Sequence, residues 1–444
     1  MAVFAGTGKI DITPQGSIWM DGMLRAHPSE GIHDRLYARA LVLNESDDVR
    51  QAFVLVSVDV CILEDETCSA VQRGAEARTG IPTSHIIVAA THTHSGPSTF
   101  GGLTPREDGY VRELTSRLIT LVEETAQNLH PAELGVTSGR EDTISHYRRL
   151  VASDGHVVMN WEPYPPEQIV GPLGIADPEV GVVKVVAAGD PSDPSKPGSV
   201  LAVLFNHTGH PNVLSGDNYL LSSDYPGLAA RLLEQELGGV ALFFNGALGS
   251  VDIDGLRDRD WEGLDRTGRA LARSVSAAAA AIMPSGSPAI RGASTTYTLP
   301  GRRIADAEWR WAQEVLAQTG GQVAAVADGV GDDFKAAFYR ELHDAGLRDL
   351  PVTQMCLALG DSALLTFPGE LYTEIGQYIK AHSPFQRTFI IGLANGYVGY
   401  VPTRKAIGEG GYAEDTRHVD ETAEQLVVER SLALLQHLYV TSTG

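Results

Sequence analysis

Two short polar clusters each follow an apolar run. The first is Thr91-His92-Thr93-His94-Ser95-Gly96-Pro97, entered from Ile86 to Ala90, and the second is Asn206-His207-Thr208-Gly209-His210-Pro211, entered from Val200 to Phe205. Side chains two apart share a face in an extended segment, so His92 and His94 are expected to point the same way. Paired imidazoles can ligate a metal together, or one can ligate while its neighbour hydrogen-bonds a substrate. Taken alone, either pair is as well explained by surface or structural histidines. Scattered histidines would seldom put four of the 14 just past two apolar runs, and a shared metal site is the leading expectation. Two nitrogens and a carboxylate keep Zn²⁺ open to water. Glu370, after a hairpin and expected to open a helix, is the candidate, although an acidic first helical turn alone is explained by the macrodipole.

Other segments carry plainer expectations. Gly6-Thr7-Gly8-Lys9 lacks the upstream glycine spacing and the preceding strand of a phosphate loop, so nucleotide binding there is rejected. In Ser222-Ser223-Asp224-Tyr225-Pro226, Asp224 is expected to cap a helix that has Pro226 near its first position. Cys61 is expected to be a buried small residue rather than a nucleophile.

The positioning elements follow from periodicity. Phe53 to Val58 and His85 to Ala90 predict strands flanking a helix around Glu64 to Arg78, closed by Gly80. Apolar residues from Tyr110 to Leu129 recur at three- and four-residue steps, the pattern of a helix lying on a sheet. Further on come a strand at Val200 to Phe205, a helix from Pro226 to Leu237, a strand at Val240 to Phe244 and a helix from about Leu264 to Ile282. Thr295 to Thr298 predicts a strand and Ile304 to Leu347 a helical insertion, while Gln354 to Leu359 and Ser362 to Phe367 predict a hairpin about Gly360-Asp361. Ala187 to Gly198 is an exposed loop, and Pro284 to Pro288 is a candidate boundary. The expected fold class is α/β, with mixed β-sheets sandwiched by helices and site loops gathered at strand ends.

Composition narrows the partners. The 444 residues are 43% hydrophobic and 20% charged, enough for a large core. With 34 Lys+Arg against 56 Asp+Glu, the formal charge of -22 repels phosphate backbones and anionic bilayers, which argues against nucleic acid and acidic lipid surfaces. Three scattered cysteines fit a reducing compartment. No basic-then-apolar leader opens the chain, and no apolar run approaches the ~18 residues that span a bilayer. The expectation is a cytoplasmic protein acting on a small-molecule substrate, without membrane insertion, and with homo-oligomerisation left open.

With these residues in hand, the sequence resembles the catalytic domain of the neutral (non-lysosomal) ceramidase family. The matching pieces are Gly8-Lys9-Ile10-Asp11-Ile12-Thr13-Pro14, Gly31-Ile32-His33-Asp34 with Leu36 to Ala40, Ser57-Val58-Asp59-Val60, Thr91 to Pro97, His210-Pro211 with Ser223-Asp224, Phe244 to Asp252, Pro368-Gly369-Glu370, and Gly392 to Tyr400. The resemblance runs over roughly residues 5 to 435 and is weakest from Ile304 to Leu350. It implies one ceramidase-like catalytic domain over residues 1–444, with a helical insertion at about 303–350. It also implies a single zinc held by His92, His210, Glu370 and Tyr400. By the same analogy, His94 and Arg148 would hold the substrate carbonyl or its oxyanion, and Tyr412 is a further transfer.

One departure bears on mechanism. The family's ceramide hydrolases carry a nucleophilic Ser in Gly-Asp-x-Ser-Pro-Asn, whereas this chain has Gly249-Ser250-Val251-Asp252-Ile253-Asp254. Asp252 stands where that Ser should be, and Ser250 takes the usual Asp position. The typical relative also adds a C-terminal β-sandwich domain and a signal peptide, which are not expected here. The resulting expectation is zinc-assisted hydrolysis of an amide or ester in a small soluble molecule, with Asp252, or less readily His94, taking the proton. Competing readings are a true neutral ceramidase acting through Ser250, a zinc-dependent ring-opening, elimination or sugar-derivative cleavage on the same fold, and a non-catalytic metal-binding relative.

Overall fold

The computed structural model describes every residue except 1, 2, 47, 103, 190–197, 254–258, 284–287, 327 and 444. Period-two alternation divides the strand side chains between two cores. In Tyr37–Asn44, Ala38, Ala40 and Val42 face one core while Leu41 and Leu43 face the other. Phe53–Val58 likewise sends Val54, Val56 and Val58 one way and Leu55 the other. Strands buried on both faces belong to a sheet covered on both sides.

That sheet has eight strands, in the order Val240–Asn245, Val200–His207, Glu179–Ala187, His130–Arg140, Val3–Asp11, Tyr37–Asn44, Phe53–Val58 and Ile86–Ala90. Helices Asp65–Thr79 and Asp108–Ala126 cover one end of its outer face, and Asp224–Leu237 and Trp261–Ala281 cover the other. Against the inner face lies a four-stranded sheet of Ile290–Leu299, Leu350–Leu359, Ser362–Thr366 and Arg387–Ile391. Met355, Leu357, Leu364 and Phe389 of the small sheet share a core with Leu41, Leu55, Val183 and Phe244 of the large one. Helices Thr373–His382 and Ala423–Thr443 cover the small sheet's outer face. The layers therefore run helix, sheet, sheet, helix, the α/β architecture expected from sequence. Among the described residues no helix is long and apolar enough to cross a membrane.

Two parallel crossovers build the site. Phe53–Val58 passes through Asp65–Thr79 to Ile86–Ala90, and Val200–His207 passes through Asp224–Leu237 to Val240–Asn245. Loops leaving the carboxyl ends of parallel strands are the usual ligand positions in α/β folds. The two units stand towards opposite ends of the strand order, and the sheet curls to bring them together. Ser57 Oγ donates to the Phe243 carbonyl oxygen at 2.6 Å across that gap.

Helices Asp306–Thr319 and Asp332–Ala345 fall within the expected helical stretch and pack about a small core of Ala312, Ala336, Phe338 and Tyr339. Residues 284–287 of the candidate boundary and 190–197 of the predicted loop lie outside the described residues.

Two local expectations are corrected. Asp224 does not cap a helix: it is the first helical residue, with φ 54°, and Ser223 is the N-cap without a side-chain capping bond. The Ser223 hydroxyl donates instead to the Asp34 carboxylate, which also accepts from Ser222 Oγ at 2.6 Å and Arg231 Nη1 at 3.0 Å. A carboxylate this enclosed needs those donors more than the helix end does. Glu370 does not open a helix either. It lies in the two-residue strand Glu370–Leu371, paired in parallel with Tyr400–Val401, and the helix starts at Thr373.

Candidate metal centre and its cavities

The loop after Ile86–Ala90 is pinned by backbone bonds from Thr91 N to Val58 O at 2.9 Å and from His92 N to Val60 O at 3.0 Å. His92 has φ 74°, so the segment turns rather than extends, and the expected shared strand face does not exist. A left-handed non-glycine costs on the order of 1–2 kcal/mol and persists only where surrounding contacts impose it. The turn itself brings His92 and His94 edge to face, with ring centroids 4.7 Å apart.

The second loop is stitched to the first. Asn245 Nδ2 donates to the Gly209 carbonyl at 2.8 Å and to the Thr91 carbonyl at 3.4 Å, while its Oδ1 accepts from Gly209 N at 3.2 Å. His94 N donates to the Pro211 carbonyl at 3.0 Å. His210 thereby comes within 5.0 Å of His92, ring centre to ring centre.

Each ring has one nitrogen committed to the backbone. His92 Nδ1 lies 2.8 Å from the Cys61 carbonyl, and His210 Nδ1 lies 2.9 Å from the Val251 carbonyl. Donation from Nδ1 leaves the lone pair on Nε2, the tautomer a metal ligand needs. Glu370 Oε2 is 3.3 Å from His210 Nε2 and 3.7 Å from His92 Nε2. Zinc ligand atoms at about 2.0–2.1 Å from the ion stand roughly 3.3–3.4 Å apart at tetrahedral angles. His210 Nε2 and Glu370 Oε2 have no hydrogen-bond partner although both are buried. Unpaired buried acceptors are expensive, and a cation at their meeting point would satisfy them. The donor set present fits a divalent metal.

Electrostatics sharpen this site. Burial would raise the Glu370 carboxyl, but His92, His210 and Arg148 outweigh it and hold it down to about 2. Burial pushes His92 down to about 4 and His94 well below its ordinary value, so these imidazoles are neutral at physiological pH. Tyr400 is set opposite Glu370 by strand pairing, and the Arg148 guanidinium lies against its ring. Burial and the neighbouring Glu370 charge raise the Tyr400 ionisation well above the ordinary value.

The remaining sequence candidates separate into two groups. His94 Nε2 lies 3.2 Å from His92 Nε2, and His94 lines both cavities that flank the centre. Arg148 is buried under the rings of Tyr400 and Tyr412, with its guanidinium carbon 5.0 Å and 5.6 Å from their centres, and it donates to the Gly249 carbonyl at 2.6 Å. Asp252 faces the smaller cavity beside His210 and is paired with Arg259 at 3.2 Å. Ser250 stands apart. Its hydroxyl donates to Glu374 Oε2 at 3.0 Å and accepts from Thr373 N at 2.9 Å, and it lines neither cavity. His207 also stays outside, its Nε2 beside Ser145 Oγ at 3.3 Å.

Sequence reasoning did not single out three contributors. Tyr397 donates its hydroxyl to Glu370 Oε1 at 2.8 Å, orienting the carboxylate; the Gly392 to Tyr400 stretch contained it but gave it no role. Arg259 and Asp328 enter the smaller cavity from loops with no motif of their own. The larger cavity, of about 660 Å³, has Phe100, Phe334, Phe338 and Tyr397 on its walls together with the charged Glu64, Arg340 and Glu341.

Fold and site together define an α/β protein with an enclosed two-histidine, one-glutamate centre at the ends of two crossover units. The sequence profile described as "Neutral/alkaline non-lysosomal ceramidase, N-terminal" matches residues 4–298, and the chain belongs to that family. Neutral ceramidase of Pseudomonas aeruginosa is 25% identical over 253 residues, which are 54% of this chain and 35% of that protein. Neutral ceramidase A of Dictyostelium discoideum is 25% identical over 249 residues, 53% of this chain and 32% of the relative. These matches span about a third of the relatives' lengths. The crystal structure of neutral ceramidase from Pseudomonas aeruginosa superposes with a TM-score of 0.74 at 20% identity, covering 99% of this chain and 75% of that one. A ceramidase complexed with C2 gives a TM-score of 0.73 at 20% identity, with 99% and 76% covered. At this identity the superpositions speak to fold.

Proposed function

We propose that this chain is a zinc-dependent hydrolase that cleaves an amide or ester bond in a small substrate, the metal being held by His92, His210 and Glu370 with Tyr400 beside them. The observation that carries this reading is the convergence of two lone-pair nitrogens and an unpartnered carboxylate oxygen, 3.3 and 3.7 Å from it, in a buried pocket. Bound there, a divalent cation supplies Lewis-acid polarisation of a carbonyl and activation of water at neutral pH. The chain's own groups do the rest. Tyr397 and the backbone carbonyls of Cys61 and Val251 orient the ligands. Arg148, permanently charged and with Nε unpartnered, offers a donor to the oxygen on which negative charge develops, and neutral His94 offers another. Asp252 accepts the proton lost by the attacking water and returns it to the leaving atom.

Membership of the ceramidase family supports hydrolysis of an acyl bond. A direct Ser250 attack is not favoured, because that hydroxyl is engaged by Glu374 and Thr373. Purified protein should contain close to one zinc per chain, lose acyl hydrolysis on chelation and regain it on zinc addition. Full activity in the chelated, metal-free protein would sink the reading.

A further inference from the structure

The centre lies between two cavities of different size and lining. The larger, about 660 Å³, is apolar on the side of Phe100, Phe334, Phe338 and Tyr397. The smaller, about 50 Å³, is lined by Arg148, Trp161, Asn212, Asp252, Arg259 and Asp328. At roughly 10–15 Å³ for each water-sized group, the smaller chamber takes about three to five heavy atoms beyond the one bonded to the substrate carbonyl.

Its chemistry is specific. Arg259 joins three segments: it pairs with Asp252 and Asp328, each at 3.2 Å, and donates to the Asn212 carbonyl at 2.7 Å. Asp328 belongs to the segment joining helices Asp306–Thr319 and Asp332–Ala345, and that segment rests on Trp161. A Cβ added to the neighbouring Gly329 would lie 2.6 Å from Trp161 Nε1. Two guanidinium groups face two carboxylates, so the chamber balances its own charge. Three of its buried atoms still lack hydrogen-bond partners: Arg148 Nε and Arg259 Nε as donors and Asn212 Oδ1 as an acceptor. Unsatisfied donors and acceptors in a charge-balanced pocket suit hydroxyl groups, which both donate and accept. A carboxylate or a free ammonium would bring an uncompensated charge out of water.

We propose that this chamber receives the leaving half of the substrate, and that this half is a small uncharged fragment bearing hydroxyl groups: a two- or three-carbon amino alcohol held as its amide, or a polyol held as its ester. The acyl chain lies in the larger cavity, against Phe100, Phe334 and Phe338. The inference rests on the hydrolase reading. In the reaction the carbonyl carbon gains the oxygen of water, its bond to the leaving nitrogen or oxygen breaks, and the proton taken from water ends on that atom. Asp328 is the selectivity determinant, holding Arg259 through Nη1 while Asp252 holds Nη2.

The test uses the full zinc-loaded chain and substrates sharing an octanoyl group: N-octanoylethanolamine, 1-octanoylglycerol, N-octanoylglycine and the octanoyl amide of a long-chain sphingoid base. Binding of the ether 1-O-octylglycerol, which cannot be hydrolysed, is measured in parallel by calorimetry. The expected result is at least a 10-fold higher kcat/KM for one of the two small hydroxylated substrates over both the glycine and the sphingoid amides. Asp328→Ala, or Asp328→Asn if the first fails to fold, should erase that preference and weaken octylglycerol binding at least 10-fold. The two hydroxylated substrates distinguish an amide from an ester. Equal or faster turnover of the glycine or sphingoid amide overturns the chamber assignment and leaves the hydrolase intact. No turnover of any substrate, with Asp328-dependent octylglycerol binding retained, overturns the hydrolase and keeps the chamber as a binding site. Loss of both overturns both.

Discussion

Asn245 reaches across to the Thr91 carbonyl, 3.4 Å away, and so ties the loop that carries His92 to the loop that carries His210. The same side chain donates to and accepts from Gly209. Removing it leaves buried backbone groups without partners, each costing about 1–3 kcal/mol. Asn245→Ala should therefore lower unfolding free energy by ~2–4 kcal/mol and weaken zinc binding as well. Denaturant titrations with and without zinc report both effects, and a variant with native stability and native metal affinity would refute the stitching role.

Tyr397 orients the carboxylate proposed to hold the metal. Its hydroxyl fixes Glu370 Oε1, leaving Oε2 to face the two histidines. Loss of such an outer hydrogen bond costs about 10- to 100-fold in metal affinity or activity. Tyr397→Phe should show that loss in a competitive chelator titration while its circular dichroism stays native.

The sequence resemblance sets Asp252 and Ser250 at exchanged serine and aspartate positions, and their surroundings predict opposite phenotypes. Asp252→Asn should retain zinc and lose about 10²- to 10⁴-fold in kcat, the usual range for a proton-transfer group. Ser250→Ala should keep kcat within a few-fold but lower the melting temperature, because Glu374 and Thr373 N lose a buried partner. The reverse pattern would restore a serine mechanism.

Asp224 predicts a pH dependence away from the metal. Burial, reinforced by the nearby Asp34 charge, raises its carboxyl from 3.8 to about 7. The folded state then holds this proton more tightly than the unfolded chain does. Its contribution to stability is complete below pH ~4, falls by up to about 1.4 kcal/mol per pH unit, and is lost above pH ~7. Asp224→Asn should flatten that decline in melting temperature between pH 4 and 7. A slope unchanged by the substitution would remove Asp224 as its source.

Much of the frame was legible because it is written in short-range periodicity. Strands Phe53–Val58, Ile86–Ala90 and Val200–His207 and helix Asp108–Ala126 fall within a few residues of their predicted limits. The failures were local and had electrostatic or turn causes. Ser223 turned to Asp34 rather than to a helix end, and His92 took a left-handed turn that no spacing rule for strands foresees. Arg259 and Asp328 were invisible because their partnership is made only across the folded chain.

By itself the sequence determined which side chains were available, and where along the chain each would be delivered: imidazoles after two apolar strands, a glutamate after a hairpin, and aliphatic residues alternating for a sheet buried on both faces. Tertiary structure alone decided which imidazole of each cluster meets the glutamate and which becomes structural packing, as His207 does against Ser145. The physical reason is that backbone periodicity is set by near neighbours, whereas the curl of an eight-stranded sheet comes from the combined twist and packing of all its strands. Only that curl places His92 and His210, carried near opposite ends of the strand order, around a common point.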